Sequence, residues 1–258
     1  MRIAVLADIH GNVLALDAVL ADLERRGGAD LTVNLGDCVS GPLWPRETFE
    51  RLEALDLPTV RGNHDRRVAV DPADDTMWAS DRYAQERLTE TQREALLALP
   101  FTLEIVPGVV AFHARPDHDE KYLLDAIVDG QLVRAPLAAI QRRLQALDPA
   151  CRIVLCGHSH RAELVRIPGG PILFNPGSVG APAYEDDTPP AHVSEQGSPH
   201  ARYGILTLDG EEPDRFETIA VDYDHEAAAR QAAQAGRPEW AHALRTGFMP
   251  KPSWQGSA

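Results

Sequence analysis

The amino-acid sequence predicts an α/β protein, on three observations. Short apolar runs alternate with stretches of helical periodicity through the first hundred residues, as in a sheet whose strands are linked by helices. The second half is richer in strand-like runs, with turn pairs such as Pro107-Gly108 and Asp209-Gly210 between them. The composition is that of a globular chain: 258 residues, 44% hydrophobic, 25% charged and 6% aromatic.

Each element has a local reason. Ile3–Ala7 is a continuous apolar run, expected of a central strand buried on both faces. Val13, Leu16, Leu20 and Leu23 then recur at helical spacing. Leu31–Leu35 reads as a second strand. Pro45–Leu55 reads as a helix, opened by a proline that suits a first turn. Pro58–Val60 is a short third strand, and residues 74–99, rich in Ala, Leu, Glu, Arg and Gln, favour one or two helices. Leu103–Val106 and Val109–Phe112 form a hairpin. Residues 133–147 form a helix with Leu137, Ile140, Leu144 and Leu147 on one face. Strands follow at 152–156, 162–167 and 172–174, the last two joined by Pro168-Gly169-Gly170-Pro171. Residues 181–202 are polar and turn-rich, a long loop by expectation. Tyr203–Leu208 and Phe216–Val221 make a final hairpin. The Ala-rich stretch from Asp224 to about Leu244 reads as helical, and the last ten residues read as frayed. The predicted organisation is a main domain over residues 1–222 and a helical tail over 223–258, part of the same globular unit or a dimer contact.

Charge narrows the partners. Lys+Arg number 25 against Asp+Glu 39, a formal net charge of -14, and no basic cluster exceeds pairs such as Arg142-Arg143. Binding to a nucleic-acid backbone rests on neutralising phosphates, so that role is disfavoured. No apolar run approaches the roughly 18 residues of a membrane span. Met1 leads straight into an apolar stretch ending at Asp8, without the arrangement of a secretory leader, so the expected location is the cytoplasm. The cysteines agree with a reducing compartment. Cys151 and Cys156, five apart in one strand, are expected on opposite faces roughly 17 Å apart, too far for a disulfide. Cys38 reads as a small buried residue.

The chemistry sits at the strand ends. Ile3–Ala7 runs into Asp8-Ile9-His10, Leu31–Leu35 into Gly36-Asp37, and Pro58–Val60 into Arg61-Gly62-Asn63-His64-Asp65. Val109–Phe112 runs into His113, and the strand at 152–156 into Gly157-His158-Ser159-His160. Alone, each piece is weak; a Gly-Asp pair is commonly a turn. Together they place five of the ten histidines, with carboxylates and an amide, at the strand ends where open α/β sheets gather ligands. Imidazole, carboxylate and amide oxygen without thiolate suit Mn, Fe, Zn, Ni or Co. Two such ions about 3.5–4 Å apart, bridged by a shared carboxylate, form a clamp for phosphate-ester cleavage. His64, next to Asn63, is placed to protonate a leaving oxygen, with Asp65 as its orienting partner.

The ordered set Asp-x-His, Gly-Asp, Gly-Asn-His-Asp, a strand-end His, Gly-His-x-His and Asn175-Pro176-Gly177-Ser178 resembles the calcineurin-like metallophosphoesterase superfamily, closest to its small bacterial and archaeal phosphodiesterase-type branch. The resemblance spans residues 8–178. It implies a four-layer αββα sandwich of two mixed sheets flanked by helices, with a C-terminal helical appendage. It implies that Asp8, His10, Asp37 and His160 hold one ion, and that Asp37 (bridging), Asn63, His113 and His158 hold the other. His64 would be the leaving-group acid and Asp65 its partner; Asn12, Asn175 and Ser178 would support the site. The implied enzyme uses two divalent ions, Mn foremost, to hydrolyse a small phosphodiester or phosphomonoester by in-line attack of metal-bound hydroxide. Within the same fold, a dinucleoside polyphosphate hydrolase or a protein phosphatase fits the motifs, and a protein-binding scaffold is the alternative from another class. Ala114-Arg115-Pro116 stands where relatives often show Gly-Ser-Pro, which makes Arg115 a candidate contact for a substrate phosphate. Trp44 and Trp78 are candidates to stack a nucleobase, against ordinary core packing.

Overall fold

The chain begins with β1 (Arg2–Leu6), α1 (Val13–Arg25), β2 (Leu31–Asn34), α2 (Pro45–Leu55), α3 (Asn63–Ala69), α4 (Ala79–Gln85) and α5 (Glu90–Ala98). It continues through β3 (Thr102–Val106), β4 (Val109–Phe112), β5 (Asp125–Val128), β6 (Gln131–Arg134), α6 (Leu137–Arg143), β7 (Ile153–Leu155), β8 (Glu163–Arg166) and β9 (Ile172–Asn175). β10 (Ala183–Asp186), β11 (His192–Glu195), β12 (Ala201–Thr207), β13 (Arg215–Val221), α7 (His225–Gln234) and α8 (Pro238–Thr246) complete it. This computed structural model describes residues 1–70, 77–210 and 214–251.

Local chemistry sets the helix ends. The Asn12 side chain accepts the Ala15 N–H at the start of α1, and Thr89 with Gln92 forms a reciprocal box at the start of α5. Pro45 and Pro238 open α2 and α8, where a missing N–H costs nothing.

Three mixed sheets result. The first runs β13-β12-β1-β2, with β1 and β2 parallel; the second runs β3-β4-β7-β9-β8, with β4, β7 and β9 parallel. Strand alternation sorts their side chains. Ile3, Val5, Val33, Val109, Ala111, Ile153, Leu155 and Phe174 form one buried cluster drawn from both sheets. Ala4 and Leu6 turn the other way, onto Leu16, Val19 and Leu23 of α1. Phe112, Val154 and Leu173 turn away from the shared cluster onto Ile140 of α6 and Leu144.

Several expectations need correction. Among the described residues a third, small sheet accompanies the two expected ones, running β10-β11-β6-β5. Its strands β10 and β11 occupy the segment 181–202 expected to be a loop; the polar composition that suggested a loop belongs to a small sheet whose side chains line a cleft. The helix predicted over 133–147 is shorter, Leu137–Arg143, because residues up to Arg134 pair in β6. Pro58–Val60 reduces to a single bridge between Thr59 and Asn34. Cys151 and Cys156 lie in the same cluster, since Cys151 precedes β7 and is not bound by its alternation; both are free. The helical expectation for 74–76 falls outside the described residues; from 77 to 99 the chain forms α4 and α5. The tail is helical as expected, formed by α7 and α8. Ala228, Ala229, Ala232, Ala241 and Leu244 pack with Leu43 near the site loops. At the chain end the Met249 N–H donates to Glu195 (2.9 Å), and residues 252–258 lie outside the described set. No described helix is long and apolar enough to cross a membrane.

Phe174 is 1% exposed between the two large sheets, its ring 5.4 Å from that of Phe216. Phe174→Ala is expected to destabilise the fold by about 3–5 kcal/mol, read as a lower urea midpoint at unchanged slope.

Candidate metal centre

The site is built where β1, β2, β4 and β7 end. Asp8 and His10 follow β1, Asp37 follows β2, His113 follows β4, and His158 and His160 follow β7; Asn63 opens α3. Among the described residues, seven non-glycine positions have positive φ, and five of them are Asp8, His10, Asp37, His158 and His160. L-residues pay of order 1 kcal/mol or more for this conformation, and it persists where surrounding bonds impose it. Around Asp8, His10 and Asp37 the bonds are main-chain: Asp8 N–H to the Gly36 carbonyl (3.1 Å), His10 N–H to that of Asp37 (2.9 Å) and Gly11 N–H to that of Cys38 (3.1 Å); the His158 N–H instead donates to the Asp8 carboxylate (3.1 Å). Gly62 permits the close approach of the next loop, since a Cβ there would sit 2.1 Å from Asp37 Oδ1.

Two groups of donor atoms result. Asp8, His10 and His160 form one, and Asp37, His113 and His158 the other; within each, ligand atoms lie within 4.8 Å of one another. His10 Nε2 is 3.1 Å from His160 Nε2, and His160 Nε2 is 3.6 Å from Asp8 Oδ1. His113 Nε2 is 3.0 Å from Asn63 Oδ1, which joins the second group. Asp37 Oδ2 stands 3.2 Å from His113 Nε2 and 3.8 Å from His10 Nε2, between the groups.

The imidazoles are aimed by carbonyl oxygens, which only accept. His10 Nδ1–H donates to Ser40 O (2.8 Å), His113 Nδ1–H to Leu35 O (2.8 Å) and His160 Nδ1–H to Ala181 O (2.7 Å). Each ring therefore presents Nε2 as its lone pair. His158 is reversed: Nε2–H donates to Glu120 O (2.8 Å), leaving Nδ1 as the ligand atom. This donor set fits a divalent cation in each group.

Electrostatics agree. Burial depresses His10 to about 4, with Asp37 opposing, and His158 to about 3; it also holds His160 well below the usual imidazole range. These three are neutral near pH 7. Burial pushes Asp8 up to about 8 despite His113. Burial also works against charge on His113, but the Asp37 carboxylate outweighs it and lifts the ring to about 10. Asp8 and His113 thus hold protons that a bound cation would displace.

His64 is paired differently from expectation. Its Nδ1 is 2.6 Å from Asp81 Oδ1, on α4, and 3.3 Å from Ser40 Oγ, which itself donates to Asp81 (2.7 Å). Burial disfavours the charged ring, yet Asp81 and then Asp37 raise it to about 9. Asp65, expected as the partner, instead accepts the main-chain N–H groups of Asp37, Cys38 and Gly62, each at 2.9 Å. It ties the ligand loop to the start of α3. Asp81 escaped the sequence reading because nothing local marks it; it lies 17 residues from His64.

The supporting residues act on backbone. Ser178 Oγ donates to the Asp8 carbonyl (2.7 Å), Asn175 Nδ2 to that of Gly157 (2.8 Å), and Asn12 Nδ2 to that of Gly180 (3.0 Å). Arg115 is corrected: its guanidinium pairs with Asp117 (2.8 and 2.9 Å), and it does not line the cleft.

Above these groups lies a cleft of about 400 Å³. Its walls include Trp78, Tyr122, Tyr184, Asp186, Arg237 and Trp240. Tyr122 stacks on His158 (4.9 Å), and Trp240 of α8 stands 6.1 Å from His10. Nothing in the sequence pattern marks Tyr184 or Trp240 as cleft residues. Of the two candidate tryptophans, Trp78 lines the cleft and Trp44 packs with the tail helices.

Residues 1–195 match the family model of the calcineurin-like phosphoesterase superfamily domain. The chain belongs to that superfamily. Phosphoesterases of this superfamily are hydrolases, and membership implies divalent metal cofactors. An uncharacterized protein of Methanocaldococcus jannaschii, MJ0912, is 28% identical over 266 residues, 92% of this chain and 94% of its own. The fold is shared with a metallophosphoesterase from Sphaerobacter thermophilus (TM-score 0.73, 24% identity, 96% of this chain and 100% of that one). It is shared also with hypothetical protein PH1004 of Pyrococcus horikoshii OT3 (0.74, 22%, 96% and 99%).

For this superfamily member, Mn²⁺ uptake at pH 7 is expected to displace the protons that Asp8 and His113 hold, so affinity is expected to rise as pH increases from 6 to 8. Calorimetry in buffers of different ionisation enthalpy measures both, and His160→Ala is expected to weaken uptake by more than about tenfold.

Proposed function

We propose that this protein is a dinuclear metal-dependent phosphoesterase that hydrolyses a small phosphodiester or phosphomonoester, with Mn²⁺ as the working metal. The observation that carries this reading is the position of Asp37 Oδ2 between two donor groups, 3.2 Å from His113 Nε2 and 3.8 Å from His10 Nε2. In this reading Asp8, His10 and His160 hold one ion, Asn63, His113 and His158 the other, and Asp37 belongs to both.

When bound, the ions supply positive charge that polarises phosphoryl oxygens and acidifies a water. The chain's own residues do the rest. Asp37 is kept ionised: burial works against its charge, but His113 and His64 hold its carboxyl well below the usual range. Its Oδ1 accepts the His64 N–H (2.9 Å), which registers the acid against the metal groups. His64 lines the cleft with Nδ1 engaged by Asp81, so Nε2 carries the proton offered to a departing oxygen. Asp81 positions that ring and stabilises its charged form.

Purified protein with Mn²⁺ is expected to hydrolyse bis(p-nitrophenyl) phosphate, to lose that activity with chelator and to regain it with metal. No turnover with Mn, Fe, Zn, Ni or Co overturns the reading. His64→Ala and Asp81→Asn are each expected to lower kcat about 10²-fold or more for an ester with an alkyl leaving group. The loss is smaller for nitrophenolate, which departs without a proton, and metal content stays unchanged.

A further inference from the structure

Beyond the metal-holding residues, the cleft is strongly biased against anions. Its lining carries the carboxylates of Glu185, Asp186, Asp187 and Glu239 and, among the described residues, one guanidinium, Arg237. That guanidinium is already engaged: its Nε pairs with Glu239, and its Nη1 lies 3.4 Å from Ser80 Oγ. The hydroxyls of the wall are spent as well. His192 Nδ1–H donates to Pro190 O (2.9 Å), so its Nε2 accepts the Tyr122 hydroxyl at 2.6 Å; Tyr122 in turn takes the Tyr184 hydroxyl at 2.6 Å. A second or third phosphate entering this space would meet four carboxylates against one guanidinium, two of whose nitrogens are already engaged.

The same wall suits a cation. Tyr184 and Asp186 are alternate residues of β10 and share a face. The Tyr184 ring stands 4.7 Å from that of His160, His160 lies 4.8 Å from His10, and Trp240 is 6.1 Å from His10. Tyr184, Trp240 and Asp186 thus line one cleft beside the His10–His160 pair. Aromatic faces joined to a carboxylate are a recognition element for organic ammonium groups. Trp78 is less available, because Arg67 covers one face at 4.4 Å.

We propose that the cleft selects a phosphoester bearing an organic ammonium group, lodged among Tyr184, Asp186 and Trp240, and discriminates against polyphosphates such as dinucleoside tetraphosphates. The proposal rests on the phosphoesterase reading above and assigns its substrate class.

The experiment compares p-nitrophenyl phosphorylcholine with p-nitrophenyl ethyl phosphate, which share a leaving group and differ in the retained arm. The choline ester is expected to be favoured at least tenfold in kcat/KM, and diadenosine tetraphosphate to be the poorest of the three. Asp186→Asn, which keeps the oxygen that accepts the Thr188 N–H, is expected to bring the choline-to-ethyl ratio close to one, and Trp240→Ala to do the same. Calorimetric titration with choline alone, which needs no turnover, is expected to show binding that Asp186→Asn weakens about tenfold. Equal turnover of the two nitrophenyl esters with no choline binding overturns this assignment and leaves the phosphoesterase reading standing. Choline binding lost in Asp186→Asn, with no ester hydrolysed under any metal, supports the ammonium site and overturns the phosphoesterase reading. Diadenosine tetraphosphate as the preferred substrate overturns the assignment outright.

Discussion

The centre depends on one constraint, the lacing of two loops that leave adjacent parallel strands. β1 and β2 run side by side, so Asp8 and Asp37 emerge at the same edge. Three main-chain hydrogen bonds between residues 8–11 and 36–38 then force both carboxylates and His10 into left-handed backbone. That conformation is unfavourable for L-residues on its own, and the lacing holds it. Asp65 reinforces the second loop by accepting two of its N–H groups and one from Gly62. The result is a floor whose donor atoms are organised by backbone before any cation arrives, so little reorganisation is left for binding.

Electrostatics of this floor follow from the same crowding. Buried imidazoles and carboxylates within a few ångströms divide into neutral rings, a charged carboxylate and groups that hold protons. A double positive charge among them inverts the balance, which is why the site is a better cation trap than any of its members alone. Asp81 extends the network outward, from α4 through His64 to the cleft.

Much of the floor was legible in the sequence, and the reason is geometric. Strand ends are recognisable from apolar runs, and the residue after a buried strand in an α/β protein has few places to go, so Asp8, Asp37, His113 and His158 could be named from pattern alone. Apart from Trp78, the walls were less legible. Tyr184 and Trp240 reach the cleft from a third sheet and a tail helix, and Tyr122 from the segment before β5; contacts across that distance leave no local signature. Asp65 was assigned to the wrong neighbour because proximity in sequence suggested an imidazole, whereas at the third position of α3 its carboxylate reaches back to the helix start. The polar stretch at 181–202 read as a loop because β10 and β11 are four-residue strands of a small sheet with few apolar residues.

All four candidate metal-binding imidazoles are steered by peptide oxygens, those of Ser40, Leu35, Ala181 and Glu120, and by no side chain. Every amino acid carries that oxygen, so the aim of each ring does not depend on which side chain stands at these four positions. The chamber above can therefore change its side chains while the four rings keep their aim.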